Sequence, residues 1–487
     1  MTGMLRRSAL LALVMLAACV RLYPNRPLPD SVSNGQLYTY HDRADRVAND
    51  PFVVMSFSGG GVRATALAYS VLDELGKYTY VAANGKSRSL LDDVQIVSST
   101  SGGSVTAAYF ALHGDKDRRE QLRPLFTDFI DRDNMSSLAW QAVNPLTWAK
   151  LATPSYSRVD VVRDLFNERL FHGATFASIE GGGRPFIILN GTDMSSGVTF
   201  AFTPQYFDDI CSDLGQFPLA TAVAASTAVP VALTPITLKN YSGAECWNKQ
   251  VPKTISVSLG DSLAKYLNFE HFKLARYENA LRKGPDAYGV VDYVHVVDGG
   301  LADNLGLRSL EQAVFAVNAT IPFYKELNRA GIRKFVAIVV NARAGGPDKL
   351  SQDGSTPGVV SMIESLAGDP INVVSDTADT AFRQVLDDLK SSMDAESNTA
   401  LSSYLVEVDF DLLDAKDKRQ RELRDAAKAI PTSGSITREE AATIDEAARL
   451  LLAQHPCFKL LLVDLKITPA PSVSDDDRAA CRWWHPN

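Results

Sequence analysis

The stretch that most restricts the fold of this chain is a short apolar run that ends in a cluster of serine, threonine and glycine. Val94–Val97 is apolar, the small residues Ser98–Gly103 follow, and a helix-permissive run begins at Val105. A strand that turns directly into a helix needs small residues on both sides of the turn, and it holds the residue at the tip in a strained backbone. The pattern predicts a strand–turn–helix unit, and Ser101 at its tip is a candidate nucleophile.

A second unit of this kind lies earlier in the chain. The apolar run Phe52–Phe57 predicts a buried strand, and the glycines Gly59, Gly60 and Gly61 predict a loop before a helix with a regular apolar face. Consecutive glycines allow several backbone N–H groups to point at one anion near a helix N-terminus. One candidate anion is the charge that develops on an ester oxygen, which makes the three glycines a candidate oxyanion hole.

A dinucleotide phosphate is the alternative anion. Gly59, Gly61 and Ala64 satisfy the spacing G-x-G-x-x-A of dinucleotide-binding loops. Those loops are followed about twenty residues later by an acidic residue, and this chain has Asn84 and Gly85 there. The sequence therefore favours the oxyanion.

A third motif places an aspartate at the end of a strand. The β-rich run Tyr293–Val297 precedes Asp298, which is followed by two glycines, and in open α/β sheets ligands bind at the carboxyl ends of strands. A carboxylate whose pKa is raised by burial can accept the proton of a serine hydroxyl. A histidine is the alternative base: His295 lies within the same predicted strand, and His455 and His485 also stay candidates.

These three motifs, together with the block Ala225–Pro230, resemble those of the patatin-like phospholipases over about residues 51–342. The resemblance implies a three-layer α/β/α fold with a mainly parallel central sheet. It also implies that a serine–aspartate dyad cleaves acyl esters of lipids or phospholipids, with Ser101 as the nucleophile and Asp298 as the base. Gly59, Gly60 and Gly61 would form the oxyanion hole, and no cofactor or metal is expected.

Two positions differ from the usual pattern of that family. Ser58 stands where an acidic residue precedes the glycines, and Ser99 stands where the turn has its first glycine. The string from Ser58 to Ala64 is closer to the related cytosolic phospholipase A group, whose arginine assists at the site. Arg63 is therefore expected to hold a phosphate or to support the site, with an internal ion pair as the alternative.

The resemblance predicts an enzyme of the phospholipase A or lysophospholipase type. Two alternatives stay open. One is a small-ester or thioester hydrolase on the same fold. The other is a non-catalytic surface protein that binds lipid or a partner. The reason for this alternative is Ser99, which stands where the family has a glycine in the turn.

The first 18 residues have the layout of a secretory signal. Arg6 and Arg7 precede an apolar run that is too short to span a bilayer, and small residues end at Ala18. The string from Leu16 to Cys19 resembles a bacterial lipobox, which implies acylation of Cys19, palmitate included, and a membrane anchor in the bacterial cell envelope. Residue 20 is not acidic, so the outer membrane is the expected location. An ordinary signal peptide with a chance cysteine is the alternative.

Composition limits the partners and the number of domains. The 487 residues are 46% hydrophobic and carry a formal charge of −8, which argues against nucleic acid as a partner. Residues 19–49 are expected to be a tether, 50–345 the hydrolase domain, and 346–487 a mainly helical C-terminal extension that packs on the core. Residues 135–156, which contain Trp140 and Trp148, are expected to be an irregular cap or else core filler.

Four cysteines follow Cys19, and an even number in an exported chain predicts two disulfides. Three pairings can be formed, and the sequence-local pairs Cys211–Cys246 and Cys457–Cys481 are preferred. A zinc site is the alternative, but no C-x-x-C or close Cys/His pair is present.

Overall fold

A computed structural model of the chain describes residues 23–29, 50–114, 118–180, 184–243, 246, 276–282, 291–316, 331–345, 375–387 and 402–481. The predicted signal peptide, Cys19 and most of the predicted tether lie outside these residues, as does His485. The strands are β1 (Phe52–Phe57), β2 (Thr79–Val81), β3 (Ser87–Ser89), β4 (Val94–Thr100), β5 (Phe186–Asp193), β6 (Thr199–Phe202), β7 (Ile236–Lys239), β8 (Tyr293–Asp298), β9 (Lys334–Asn341) and β10 (Ser402–Asp409).

Helices cover the sheet. They are α1 (Gly61–Leu75), α2 (Gly102–His113), α3 (Arg118–Leu125), α4 (Asn134–Val143), α5 (Pro145–Leu151), α6 (Arg158–Phe166), α7 (Pro204–Asp209), α8 (Leu219–Ser226), α9 (Gly300–Asp303), α10 (Leu307–Ala316), α11 (Lys418–Ala429), α12 (Arg438–Gln454), α13 (Pro456–Asp464) and α14 (Asp475–Ala480). Residues 375–387 are also helical. No helix among the described residues is long and apolar enough to cross a membrane.

The main sheet has eight strands in the order β10-β9-β1-β4-β5-β8-β7, with β6 paired to β5. The five strands from β10 to β5 are parallel, whereas β8 is antiparallel to β5 and β7 is antiparallel to β8. The central strands are buried on both faces, which explains why β1 is a nearly continuous apolar run. The predicted α/β fold with a mainly parallel sheet is confirmed.

The ends of β4 and β8 meet because β5 is longer than its neighbours. Thr100, the last residue of β4, is level with Asn190 of β5, and the next residue of β5, Gly191, is level with Asp298. Since β8 runs antiparallel to β5, its last residue returns to the height at which β4 ends. The antiparallel strand therefore delivers Asp298 to the same edge as the turn at Ser101.

The segment after residue 345 is not only helical. β10 pairs with β9 in parallel along its whole length, from Ser402 beside Lys334 to Asp409 beside Asn341, so it extends the same sheet. Local sequence patterns do not predict this strand. In the same segment, α12 packs on α1. That helix starts with a capping box, in which Thr437 and Glu440 exchange hydrogen bonds.

Part of the predicted tether packs on the folded body. The side-chain amide of Asn25 donates to Ser212 Oγ (3.1 Å) and to the carbonyl oxygen of Lys239 (2.8 Å), and both Asn25 and Leu28 are buried. Residues 23–29 are therefore not a free tether. The structure also contains the disulfides Cys211–Cys246 and Cys457–Cys481, with Cα atoms 6.0 and 5.0 Å apart.

Residues 135–156 are neither an irregular loop nor core filler. They form α4 and α5, two short helices joined at Asn144. Trp140 and Trp148 are exposed rather than buried. Tryptophans and prolines in a short stretch do not by themselves show whether a side chain faces a core or faces outward.

Candidate active site

Ser101 is the single residue between β4 and α2. Its backbone angles are φ 50° and ψ −123°, a conformation that residues with a side chain rarely adopt. The two glycines after it are required by close approach: a Cβ on Gly102 would overlap the carbonyl oxygen of Gly61, and one on Gly103 would lie 2.7 Å from Phe57 Cβ. The predicted strand–turn–helix unit is present, with Ser101 at its tip.

Ser101 and Asp298 are in direct contact. The Ser101 hydroxyl donates to Asp298 Oδ2 at 2.8 Å, although the two residues are 197 positions apart in the chain. The other carboxylate oxygen, Oδ1, accepts the backbone N–H of Gly300 at 2.8 Å. Both side chains are buried. The second glycine after the aspartate thus fixes the carboxylate orientation, so that one oxygen faces the serine.

The environment of Asp298 makes its carboxylate more basic than an exposed one. Burial raises the pKa of Asp298 from 3.8 to about 6, while the hydrogen bonds from the Gly300 N–H and the Ser101 hydroxyl act in the opposite direction. The group is still ionised at neutral pH. It is therefore an acceptor for the serine proton with a pKa closer to neutrality than that of an ordinary aspartate.

Ser226, at the end of α8, holds the turn from behind. Its hydroxyl oxygen accepts the backbone N–H of Ser101 at 2.9 Å, and its own proton goes to the carbonyl oxygen of Asn190 at 2.6 Å. The backbone N–H of Asp298 donates to the carbonyl of Ala228 at 2.9 Å. One short segment thus supports both the serine and the aspartate. Ser226 belongs to the Ala225–Pro230 block, but local sequence patterns do not predict this role.

Ser99 fits the turn without displacing it. The side chain is fully buried, and its hydroxyl lies 3.2 Å from Ser104 Oγ and 3.3 Å from the carbonyl oxygen of Ile188. The hydroxyl is therefore satisfied within the protein. A serine at this position, where a glycine is usual, is compatible with the contact between Ser101 and Asp298.

The glycine loop lies beside the turn. Gly60 and Gly61 have φ values of 139° and 61°, conformations that favour glycine. A Cβ on Gly59 would lie 3.2 Å from Ser101 Cβ, which shows how close the loop comes to the serine. The N–H of Gly59 donates to the carbonyl oxygen of Asn304 at 2.9 Å. The N–H groups of Gly60 and Gly61 have no acceptor among the residues that the structure describes.

Arg63 supports the loop from inside the protein. Its Nε donates to the carbonyl oxygen of Ala342 (3.0 Å), Nη1 to that of Ile430, and Nη2 to Thr432 Oγ1 (3.0 Å). The side chain is buried, which lowers the pKa of Arg63 to about 10. No carboxylate within the described part of the chain forms an ion pair with it. Of the predicted roles, support of the site fits this geometry, and an ion pair or a phosphate contact does not.

Four of the seven histidines lie within the described ranges, and none of the four hydrogen-bonds to Ser101 or Asp298. His295 Nδ1 is 3.0 Å from Thr237 Oγ1 on the neighbouring strand. His455 Nε2 accepts the N–H of Glu407 on β10, three strands from β4, and burial lowers its pKa to about 4. The geometry offers Asp298, and neither of these imidazoles, as the partner of the serine.

The fold and the site define an α/β protein with a serine–carboxylate pair at the edge of a mainly parallel sheet. The sequence model of a family described as patatin-like phospholipase matches residues 55–310, more than half of the chain. The chain belongs to the patatin-like phospholipase family, as its motifs indicated. At the level of the family it is a lipid acyl hydrolase.

A comparison with solved structures finds phospholipases among its matches. Human GIVD cytosolic phospholipase A2 is 12% identical, with a TM-score of 0.42 over 92% of this chain and 68% of that one. The structure of the same enzyme in complex with methyl gamma-linolenyl fluorophosphonate is 10% identical, with a TM-score of 0.39 over 92% of this chain and 66% of that one. The complex of SpcU with ExoU from Pseudomonas aeruginosa is 14% identical, with a TM-score of 0.20 over 88% of this chain and 84% of that one. A search of curated proteins finds no match. The family assignment depends on the sequence match alone.

Proposed function

We propose that this protein hydrolyses acyl ester bonds of phospholipids, as a phospholipase A or lysophospholipase. Ser101 is the nucleophile and Asp298 is the base. The observation that carries the proposal is the 2.8 Å hydrogen bond from the Ser101 hydroxyl to a buried carboxylate, made at the tip of a strained turn. A serine hydroxyl is a weak nucleophile until such a base takes its proton.

In the proposed reaction, Ser101 Oγ attacks the ester carbonyl carbon while its proton moves to Asp298 Oδ2. The tetrahedral intermediate then collapses, the carbon–oxygen bond to the lipid alcohol breaks, and that alcohol leaves with the proton from Asp298. A water molecule next gives a proton to Asp298 and attacks the acyl-Ser101 ester. The fatty acid leaves, and the proton on Asp298 returns to Ser101 Oγ.

The charge on the carbonyl oxygen needs hydrogen-bond donors, and the glycine loop supplies them in this proposal. Gly60 and Gly61 are the two loop residues whose N–H groups have no acceptor in the described part of the chain. The Gly59 N–H instead ties the loop to Asn304. Loss of one donor in a comparable hole costs on the order of 3 kcal/mol of transition-state stabilisation. The position of this loop is therefore as important as the base.

Reaction with a fluorophosphonate probe tests the proposal, because only an activated serine reacts quickly with it. The unaltered protein should be labelled at Ser101, and Ser101→Ala should lose both labelling and hydrolysis of a phospholipid. Asp298→Asn should be nearly as damaging, whereas His295→Ala should be mild. Ser195→Ala, a change at an exposed serine, is the matched control. Hydrolysis at the normal rate by Ser101→Ala would refute the assignment.

A substrate series separates the phospholipase from a small-ester or thioester hydrolase on the same fold. Esters of one head group with increasing acyl length are compared at equal concentration. The proposal expects kcat/KM to rise with acyl length and to be higher for phospholipid than for the matching thioester. A rate that is highest for acetyl or butyryl esters would favour the small-ester alternative.

We also propose that Cys19 is acylated and anchors the protein in the bacterial envelope. The support is the resemblance of the string from Leu16 to Cys19 to a lipobox. Cells grown with labelled palmitate should yield a labelled protein in the outer-membrane fraction, and Cys19→Ser should remove the label. An unlabelled protein in the soluble fraction would contradict this part of the proposal.

A further inference from the structure

The helices α4 and α5 present an apolar surface to the outside. Eleven large apolar side chains are exposed among the described residues, and five of them lie between residues 135 and 148. The exposed fractions of these five side chains are Met135 50%, Trp140 71%, Val143 66%, Leu146 73% and Trp148 64%. We call residues 134–151 the apolar hairpin. Such a concentration of exposed apolar groups marks an interaction surface.

Several polar groups of the apolar hairpin are hydrogen-bonded within it. Thr147 Oγ1 donates to Gln141 Oε1 at 2.9 Å, which joins the two helices. The indole N–H of Trp148 donates to the carbonyl oxygen of Ala142 at 2.7 Å, and Asn144 Oδ1 accepts the N–H of Leu146 at 2.9 Å. Because these donors and acceptors are already paired, little hydrogen bonding is lost when the surface leaves water.

The charge of the apolar hairpin selects the kind of partner. The chain has 57 acidic residues, but none lies between Asp133 and Asp160. The charged residues in that interval are Lys150 and Arg158, both exposed. The hairpin carries no carboxylate of its own, although Asp133 caps its first helix and Lys150 Nζ lies 3.7 Å from Asp164 Oδ2. An apolar surface with exposed cations at its border suits a layer of phosphate-bearing head groups over hydrocarbon. Tryptophan is also the residue that is enriched at such boundaries.

A short segment joins the apolar hairpin to the glycine loop. The carbonyl oxygen of Ser433 accepts the N–H of Val62 at 2.9 Å, directly after the loop glycines. The next two residues contact the start of the hairpin: Asn134 Nδ2 donates to the carbonyl of Gly434 (3.0 Å), and the N–H of Met135 donates to Ser435 Oγ (2.8 Å). Residues 433–435 therefore link the start of the apolar hairpin to the end of the glycine loop.

We propose that the apolar hairpin docks the protein onto the surface of a phospholipid bilayer. The exposed Trp140, Val143 and Leu146 enter the head-group boundary, and the segment 433–435 places the glycine loop next to that surface. This inference rests on the proposed function for its purpose, since a lipid hydrolase must reach lipid in a bilayer. Docking itself requires neither Ser101 nor hydrolysis.

The test measures binding without turnover. The chain from Val20 onward lacks the predicted signal peptide and acylation site but keeps every residue that the structure describes. It is mixed with vesicles of equal parts diether phosphatidylcholine and diether phosphatidylglycerol, which have no acyl ester to cleave, and bound protein is measured by sedimentation. Val143→Glu should weaken binding by about tenfold or more, because a carboxylate replaces an inserted side chain.

Val81→Glu is the matched control, because Val81 is an equally exposed valine (71%) in β2, outside the apolar hairpin. It should bind vesicles as the unaltered protein does. Trp140→Ala is a second variant of the hairpin and should also lose affinity, by about tenfold. Thermal unfolding of each variant checks the fold, and no large change is expected at exposed positions.

Three outcomes would overturn the inference. The first is no vesicle binding by the unaltered chain, and the second is equal binding by the unaltered chain and Val143→Glu. The third is a dimer that Val143→Glu converts to a monomer in light scattering, which would make a second copy the partner. Hydrolysis is measured separately, with a soluble short-chain ester and the unaltered chain, so that failure of docking can be distinguished from failure of the proposed function. Hydrolysis without hairpin-dependent binding refutes the docking surface, whereas binding without hydrolysis refutes the enzyme.

Discussion

At the scale of single residues, the carboxyl group of Asp298 decides how the proposed reaction depends on pH. Burial raises its pKa to about 6, and the base must be ionised to accept the serine proton. As the pH falls through 6, the carboxylate is protonated and the base is lost. We therefore expect kcat/KM for a soluble ester to fall about tenfold per pH unit below about 6 and to be level above it.

The same shift has the opposite effect on stability, which provides a control. A carboxyl group whose folded pKa is raised takes up a proton in the folded protein before it does in the unfolded chain, so this group favours folding more as the pH falls from about 6 towards 4. Unfolding in denaturant at several pH values should show that contribution in the unaltered protein and not in Asp298→Asn. If kcat/KM instead began to fall only near pH 4, the base would have the pKa of an ordinary exposed aspartate, which would contradict the role of burial.

Ser226 gives a second prediction at this scale. Removing its hydroxyl leaves the buried N–H of Ser101 without its acceptor, which we expect to cost about 1 to 3 kcal/mol of folding free energy. The turn also loses its support from behind, so kcat on a soluble ester and the rate of fluorophosphonate labelling should fall at least about tenfold, with little change in KM. Steady-state kinetics and denaturant unfolding of Ser226→Ala measure both effects.

The neighbouring Thr227→Ala is the control for Ser226→Ala. Among the described residues, the Thr227 hydroxyl bonds to the carbonyl of Ala224 in the preceding helix, at 3.2 Å, and to no other group. Its loss should therefore leave kcat nearly unchanged. If Ser226→Ala were destabilised but labelled at the normal rate, the serine would have a structural role and would not position the nucleophile.

At the scale of structural elements, the loop after β1 is held by residues from two distant parts of the chain. Arg63 on α1 bonds to Ala342 after β9 and to Ile430 and Thr432 after α11. Ser58 adds a second link, because its hydroxyl accepts the N–H of Ala342 at 2.8 Å. The loop therefore does not keep its shape by local hydrogen bonds alone.

We expect Arg63→Lys to lower the free energy of unfolding by about 2 to 4 kcal/mol. A single ammonium group cannot reach the three separated oxygens that the planar guanidinium contacts, so buried carbonyls lose their donors. Activity of the folded variant should fall by the same factor on a phospholipid and on a neutral glyceride, because Arg63 contacts the loop and not the head group. Kinetics on both substrates and denaturant unfolding measure the result.

Arg123→Lys serves as the control, because Arg123 is exposed on α3 and its change should alter neither quantity. A raised KM for phospholipid alone, with unchanged stability, would show that Arg63 binds a phosphate after all.

At the scale of the whole molecule, motifs with a distinctive local composition can be predicted from the sequence, whereas contacts between distant parts of the chain cannot. The turn at Ser101, the glycine loop and the strand end at Asp298 each have a local composition that small-residue turns require, so they were recognised. β10 was not, because Glu407 interrupts its apolar run and its pairing with β9 joins residues nearly seventy positions apart. The contact of Ser433 with the glycine loop has no local signature either.

The contacts of the C-terminal segment predict one cooperative unit. β10 completes the sheet along all of β9, α12 packs on α1, and the Ser433 carbonyl accepts the N–H of Val62. Removing any of these contacts exposes core or leaves buried polar groups unpaired, so the regions before and after residue 345 should unfold together. The chain from Val20 should show a single thermal transition by circular dichroism, with a calorimetric enthalpy equal to the van't Hoff enthalpy. Two separate transitions would instead identify an independent C-terminal domain, and the glycine loop would then keep its shape without Ser433.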